Sequence, residues 1–79
     1  TAQQWPVEVL TRESVRKGEP PIVVKTSQLQ IHDMTINEAA LQLESSRSEF
    51  VVFRDLESER VSVIYRRHDD DYGLIVPEL

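Results

Sequence analysis

The chain has 79 residues, no cysteine, and nine basic against fourteen acidic residues, which give a net charge of −5. This length allows one small domain, near the size at which a single core barely outweighs chain entropy, and neither disulfides nor thiolate ligands can stabilise it. The acidic balance argues against direct nucleic-acid binding, and no apolar run is long enough for a membrane span or a signal peptide. We therefore expect a cytoplasmic domain that gains burial by associating with another chain.

The first residues, 1–21, are predicted to be an N-terminal extension and linker. Residues 5–10 alternate enough to form a short edge strand that Pro6 restricts, although a flexible tail of a preceding domain fits the pattern equally well. Residues 12–21 are charged and end in two prolines, which is typical of a linker. Because Thr1 is not methionine, we expect a fragment of a longer protein.

A strand and a helix follow. Residues 22–26 form a β-branched run that predicts the first secure strand, and residues 27–34 are predicted to be mostly loop. Thr35 and Glu38 have the spacing of a capping box, which marks a helix start. The helix carries its apolar residues at helical spacing and ends at two serines; the stripe consists of Ile36, Ala39, Ala40 and Leu43.

Three more strands are predicted at residues 50–53, 61–65 and 72–76, with a polar loop at 55–59. The order is β-α-β-β-β, closed by an antiparallel meander. This predicts an α+β fold with one helix, in a domain that spans residues 22–79.

The strands are apolar on both faces. Phe50 and Val52 point to one side of the sheet, while Val51 and Phe53 point to the other. One short helix can cover only one face, so the second face needs another cover. A second copy is the simplest cover, because a two-fold interface is self-complementary, and this predicts a homodimer. The alternative is a monomer in which residues 5–10 fold back over the open face.

The end of the chain carries a specific motif, Y-R-R-x-D-x-x-Y-G-L-I-x-P, at residues 65–77. It resembles the C-terminal domain of the long-form ribosome hibernation promoting factors, the S30EA-type proteins, which end in Y-R-R-K-D-G-x-Y-G-L-I-E-P. Nine positions match at fixed spacing. The resemblance extends over residues 22–77 but weakens in the first half.

The resemblance implies a function. In long hibernation factors the N-terminal domain binds the small ribosomal subunit, and the C-terminal domain pairs with its twin on another ribosome. This chain would then be a homodimerisation module that silences translation and stores ribosomes under stress, with the ribosome bound through a domain outside this sequence. The implied dimer interface consists of Phe50, Val52, Val63, Tyr65, Tyr72 and Ile75. The implied motif and turn residues are Arg66, Arg67, Asp69 and Gly73, and both arginines are expected to hold the turn and neighbouring carboxylates.

One departure from the family pattern is Asp70, which replaces the turn glycine and is expected to have positive φ. This indicates a divergent member, or a diverged second copy of the domain. The alternative function is therefore a hetero-interaction domain that binds another protein or peptide without joining ribosomes.

No catalytic or metal site is predicted. The residues His68 and 69–71 are consecutive, so they cannot all face one ion, and a solvated turn explains them better than a cation site. Residues 55–59 form a polar loop with no pocket or nucleophile beside it. We expect a protein that is not an enzyme and needs no cofactor.

Overall fold

The computed structural model describes residues 3–18, 20 and 23–78. The described residues form five strands and two helices, which are β1 (Gln3–Leu10), α1 (Arg12–Arg16), β2 (Val23–Met34), α2 (Ile36–Glu44), β3 (Phe50–Asp55), β4 (Val61–Arg66) and β5 (Tyr72–Ile75).

The strands form one sheet whose spatial order is the chain order, β1-β2-β3-β4-β5. Only β2 and β3 run parallel, and α2 makes the long crossover that a parallel pair needs. The other neighbours are antiparallel, so β3, β4 and β5 form a meander. The predicted α+β class and its β-α-β-β-β order are confirmed, with β1 and the short α1 as additional elements.

The start of α2 confirms the predicted capping box. The Glu38 amide donates to Thr35 Oγ1 at 3.1 Å, and the Thr35 amide donates to Glu38 Oε1 at 2.8 Å. Ala39 and Leu43 of the predicted stripe are buried, and Ser45 caps the end of the helix. The helix therefore lies with this stripe against the sheet.

The core lies between α2 and one face of the sheet. Phe53 is its largest fully buried side chain among the described residues. The cluster consists of Met34, Ala39, Leu43, Val51, Phe53 and Ile64, with Ala40 packed against it.

Residues 27–34 are strand, so the predicted loop is wrong. They belong to the twelve-residue β2, which pairs with β1 through residues 23–31 and with β3 through residues 32–34. Their side chains are mixed in polarity, but pairing with strands on two sides supplies hydrogen bonds that the local sequence does not reveal.

The predicted linker also contains structure. Thr11 caps α1, because its Oγ1 accepts from the Ser14 amide at 3.1 Å. Residues 1–10 are not a free tail in their described part, since β1 pairs edge to edge with β2 and does not fold over the sheet. Pro21 and Ile22, on either side of the predicted domain boundary, lie outside the described residues, so that boundary stays a prediction.

Candidate dimerisation surface

The register of the meander places five of the six predicted interface residues on one face. Phe50 lies opposite Tyr65, and Val52 lies opposite Val63. Val63 in turn lies opposite Ile75. Directly opposed residues in antiparallel strands share a face. We call this side of the sheet, which faces away from α2, the open face.

The open face is apolar and accessible. Phe50 is 52% exposed and Ile75 is 56% exposed, whereas Val52, Val63 and Tyr65 are partly buried by their neighbours within the sheet. On the other side, Phe53 and Ile64 are buried beneath α2. The helix covers one face only, as the sequence predicts.

Tyr72 does not join this face. It lies opposite Arg66, one position before Gly73, so its side chain points to the helix side of the sheet. The structure therefore does not bring Tyr72 together with Ile75 on the open face, and a role for Tyr72 in the interface stays a prediction.

Gly73 makes room for Tyr65 on the open face. The two residues are cross-strand partners, and a Cβ at Gly73 would overlap the phenol ring of Tyr65. The ring thus lies directly over the glycine backbone. This contact explains why a glycine occupies the middle of β5, where it would otherwise weaken the strand.

Arg66 holds the end of α2 to the sheet. Its guanidinium donates to three backbone carbonyl oxygens, those of Leu43 at 2.6 Å, Ser46 at 2.8 Å and Ser48 at 3.0 Å. These acceptors are carbonyls, in place of the carboxylates that the sequence analysis expected. A cation is favourable there because the last carbonyls of a helix carry partial negative charge.

Arg67 and Asp69 shape the turn between β4 and β5. Arg67 Nε donates to both carboxylate oxygens of Asp69 at 3.2 Å, and Asp69 Oδ1 also accepts from the Asp71 amide at 3.2 Å. The Arg67 amide donates to the Asp71 carbonyl at 2.9 Å. Asp70 has φ of 68°, which confirms the predicted positive φ.

A charged group lies at one end of the open face. Arg54 contacts Asp33 at 3.6 Å and Glu59 at 3.8 Å. Arg54 lies opposite Val61, so it shares the open face with the apolar residues. Sequence reasoning missed this group, because the pairing of Asp33 with Arg54 depends on the parallel register of β2 and β3.

The described ranges, 3–18, 20 and 23–78, contain neither a membrane-spanning helix nor a cluster of metal-binding side chains. No helix there is long and apolar enough to cross a membrane. No group of three or more histidine, aspartate or glutamate side chains could hold a metal ion.

A family comparison identifies the domain. The sequence model of the family described as "Sigma 54 modulation/S30EA ribosomal protein C terminus" matches residues 18–74, most of the chain. The chain belongs to this family. The match contains α2, β3 and β4, whereas β1 lies before its first residue.

Named relatives agree with this assignment. The ribosome hibernation promotion factor of Mycobacterium tuberculosis is 40% identical over 62 residues, 78% of this chain and 28% of that protein. The same-named factor of Bacillus subtilis is 30% identical over 70 residues, 89% of this chain and 37% of that protein. The chloroplastic ribosome-binding factor PSRP1 of Spinacia oleracea is 38% identical over 56 residues, 71% of this chain and 18% of that protein. The chain thus spans 18% to 37% of the length of these relatives.

Most of the predicted interface residues lie within the part of the chain that matches the family. The family match includes Phe50, Val52, Val63, Tyr65 and Gly73, and it ends at Leu74, one residue before Ile75. The Tyr65–Gly73 contact and the Arg66 hydrogen bonds are therefore features of the part of the chain that the family shares. An interface between two copies is not visible in a single chain, so its assignment is a proposal.

Proposed function

We propose that this domain pairs with a second copy of itself through the open face. Two ribosome-bound copies of a longer hibernation factor are thereby joined, which silences translation and stores ribosomes under stress. Ribosome contact belongs to a part of that factor outside this sequence. The proposal places the domain in the cytoplasm and includes no catalytic step, no cofactor and no direct nucleic-acid binding, in keeping with the net charge of −5.

The observation that carries the proposal is the exposed apolar surface of the meander. Phe50 and Ile75 expose more than half of their accessible surface, and three partly buried side chains lie between or beside them. Burying one large apolar side chain fully contributes about 1.5–3 kcal/mol. A two-fold partner buries the same residues twice, which helps to offset the entropy lost on association.

The location of α2 supports the same conclusion. The helix already packs on the opposite face, and β1 extends the sheet sideways instead of covering it. The other described helix, α1, has only five residues and follows the Leu10 end of β1, so among the described residues no long element remains to cover Phe50 and Ile75 in a monomer. A domain this small gains from the additional burial that a second copy provides.

The test is the solution mass of the wild-type chain and two matched variants. Phe50→Asp places a charge on the open face, and Leu41→Asp places the same charge on α2, where Leu41 is 61% exposed. We expect the wild type and Leu41→Asp to have twice the 9.2 kDa mass of one chain by light scattering. We expect Phe50→Asp to be a folded monomer, because a carboxylate buried at an interface without a partner is costly.

Circular dichroism of each variant checks that the fold is retained. An equally dimeric Phe50→Asp chain would contradict the interface assignment. A monomeric wild type at tens of micromolar would contradict homodimerisation and would favour an interaction with a different protein through the same face.

A further inference from the structure

We propose that the hairpin of β1 and β2 extends the homotypic interface, with Trp5 packing against the second copy. We call the hairpin formed by residues 3–10 and 23–31 the arm. This inference rests on the proposed function, since it assigns a further part of the same surface. It concerns a strand, β1, that precedes the family match.

The arm projects beyond the rest of the sheet. Pairing between β2 and β3 covers only residues 32–34 of β2, whereas pairing with β1 continues back to Val23. For most of its length the arm is therefore a two-stranded ribbon, and all but one residue of β1 are exposed. Isolated two-stranded hairpins are marginally stable in water, so such an arm gains from a further contact.

The two faces of the arm differ in polarity. On one face Trp5 lies opposite Leu29, Val7 opposite Ser27 and Val9 opposite Lys25. The other face carries mainly polar pairs, namely Gln4 opposite Gln30, Pro6 opposite Gln28 and Glu8 opposite Thr26. A ribbon with most of its large apolar side chains on one side is suited to packing that side against another surface.

The apolar side of the arm continues the open face. Leu29, Ile31 and Asp33 are spaced two residues apart along β2, so their side chains point to the same side of the strand. Asp33 contacts Arg54, which lies on the open face. Ile31 is fully buried at the base of the arm, Leu29 is partly buried, and Trp5 further out is 44% exposed. Apolar side chains therefore occupy this side of the sheet from β5 to β1, with the Asp33–Arg54 pair at one end of the open face.

Trp5 is suited to an interface. Its indole Nε1 already donates to Gln3 Oε1 at 3.3 Å, so covering the ring leaves no unpaired donor. Tryptophan is enriched among the residues whose truncation weakens protein interfaces most. The ring presents a large, rigid surface beside Val7.

Local charge complementarity and continuity with the open face point to a second copy as the occupant. The end of the arm, at α1, carries Arg12, Arg16 and Lys17 but only one acidic residue, Glu13. Outside residues 12–17 the chain has thirteen acidic and six basic residues, so the basic end of one arm complements acidic surface on another copy, although the equal net charges of −5 repel at long range. Because the apolar side of the arm adjoins the open face, a two-fold partner that binds the open face would contact the arm as well.

The test uses the only tryptophan of the chain as its own probe. The wild type is diluted through its dimer–monomer transition. Light scattering measures the mass at each concentration, and tryptophan fluorescence measures the environment of Trp5 in the same samples. We expect the dimer to emit at shorter wavelength and to be quenched less by acrylamide than the monomer. Phe50→Asp should show the monomer spectrum at every concentration.

A variant pair measures the contribution to affinity. Trp5→Ala should raise the dimer dissociation constant about tenfold or more, which is typical of truncating an interface tryptophan. Gln4→Ala, the adjacent change on the polar face, should leave the constant within about twofold.

The possible failures are distinguishable. A wild-type dimer whose tryptophan emission and quenching equal those of the monomer, with Trp5→Ala equally dimeric, would overturn the arm assignment and leave the proposed function intact. A chain that stays monomeric would overturn both.

Discussion

The sheet has two regions that are stabilised in different ways. The body, which consists of residues 32–34 of β2 together with α2, β3, β4 and β5, has a helix on one face and a buried cluster beneath it. The arm has two strands with hydrogen bonds between them, and Ile31 at its base is its one fully buried apolar side chain among the residues described. The same chain therefore contains a region with a cluster of buried side chains and a region in which most side chains are exposed.

This difference relates stability to assembly. The body resembles a small independent domain, because its apolar contacts lie within one chain. Apart from Ile31 and Leu29, the arm keeps its larger apolar side chains, such as Trp5 and Val7, exposed, and their burial requires a partner. We infer that substitutions in the body act on folding, whereas substitutions on the apolar side of the arm act mainly on association.

The largest expected effect is a loss of folding stability in the body. With Phe50→Asp holding the chain monomeric, we expect Phe53→Ala to lower the free energy of unfolding by about 3–5 kcal/mol, because Phe53 is fully buried. So large a loss unfolds much of a small domain. In the same background Val7→Ala, in the arm, should cost about 0.5 kcal/mol or less. Urea denaturation followed by circular dichroism measures both values.

Equal losses for Phe53→Ala and Val7→Ala would contradict the division into body and arm. They would mean that the arm shares the core of the body in the monomer.

A smaller loss of stability is expected when Arg66, which links the end of α2 to the sheet, is replaced. Arg66→Ala removes a charged donor from three carbonyls near the end of α2 and should cost about 1.5–3 kcal/mol. Arg66→Lys should recover part of this, because an ammonium group lacks the planar fork of a guanidinium. Arg67→Ala is the matched control and should cost less than about 1 kcal/mol, since its pair with Asp69 is half exposed.

Chemical denaturation at one protein concentration gives these three values. If Arg67→Ala proved as damaging as Arg66→Ala, the carbonyl contacts would not be what distinguishes the two arginines.

The smallest expected effect is a gain in stability. Asp70 has φ of 68°, where a non-glycine residue costs on the order of 1 kcal/mol. Asp70→Gly should raise the melting temperature, because relief of this strain outweighs the entropy that glycine adds to the unfolded chain. It also removes one of three adjacent negative charges. Melting must be compared at equal concentration, since the stability of a dimer depends on it.

A lower melting temperature for Asp70→Gly would mean that the turn is built around the aspartate. The hydrogen bonds of Arg67 and Asp69 would then be the features to test next.

The sequence predicted the body well, because its signals are local. The capping box of Thr35 and Glu38 identifies the start of α2 without knowledge of the rest of the fold. The alternation along residues 50–53 predicts which side chains meet the helix and which form the open face. The same period of two already places Tyr72 and Ile75 on opposite faces of β5.

The arm and the links between elements could not be predicted in this way. Residues 27–34 become strand because β1 and β3 pair with them, and neither partner is evident from their own side chains. The contact of Asp33 with Arg54 requires the same register. The carbonyl acceptors of Arg66 are backbone atoms of distant residues, which leave no pattern in the sequence.

The most direct test of the open-face dimer is an isotope-filtered nuclear Overhauser experiment on a mixture of labelled and unlabelled chains. It detects only contacts between copies. We expect intermolecular contacts from Val63 and Ile75 methyl groups to aromatic protons of Phe50 or Tyr65, and none from Leu41 on α2. Intermolecular contacts from Leu41 without any from Ile75, or no intermolecular contacts at millimolar concentration, would contradict the account.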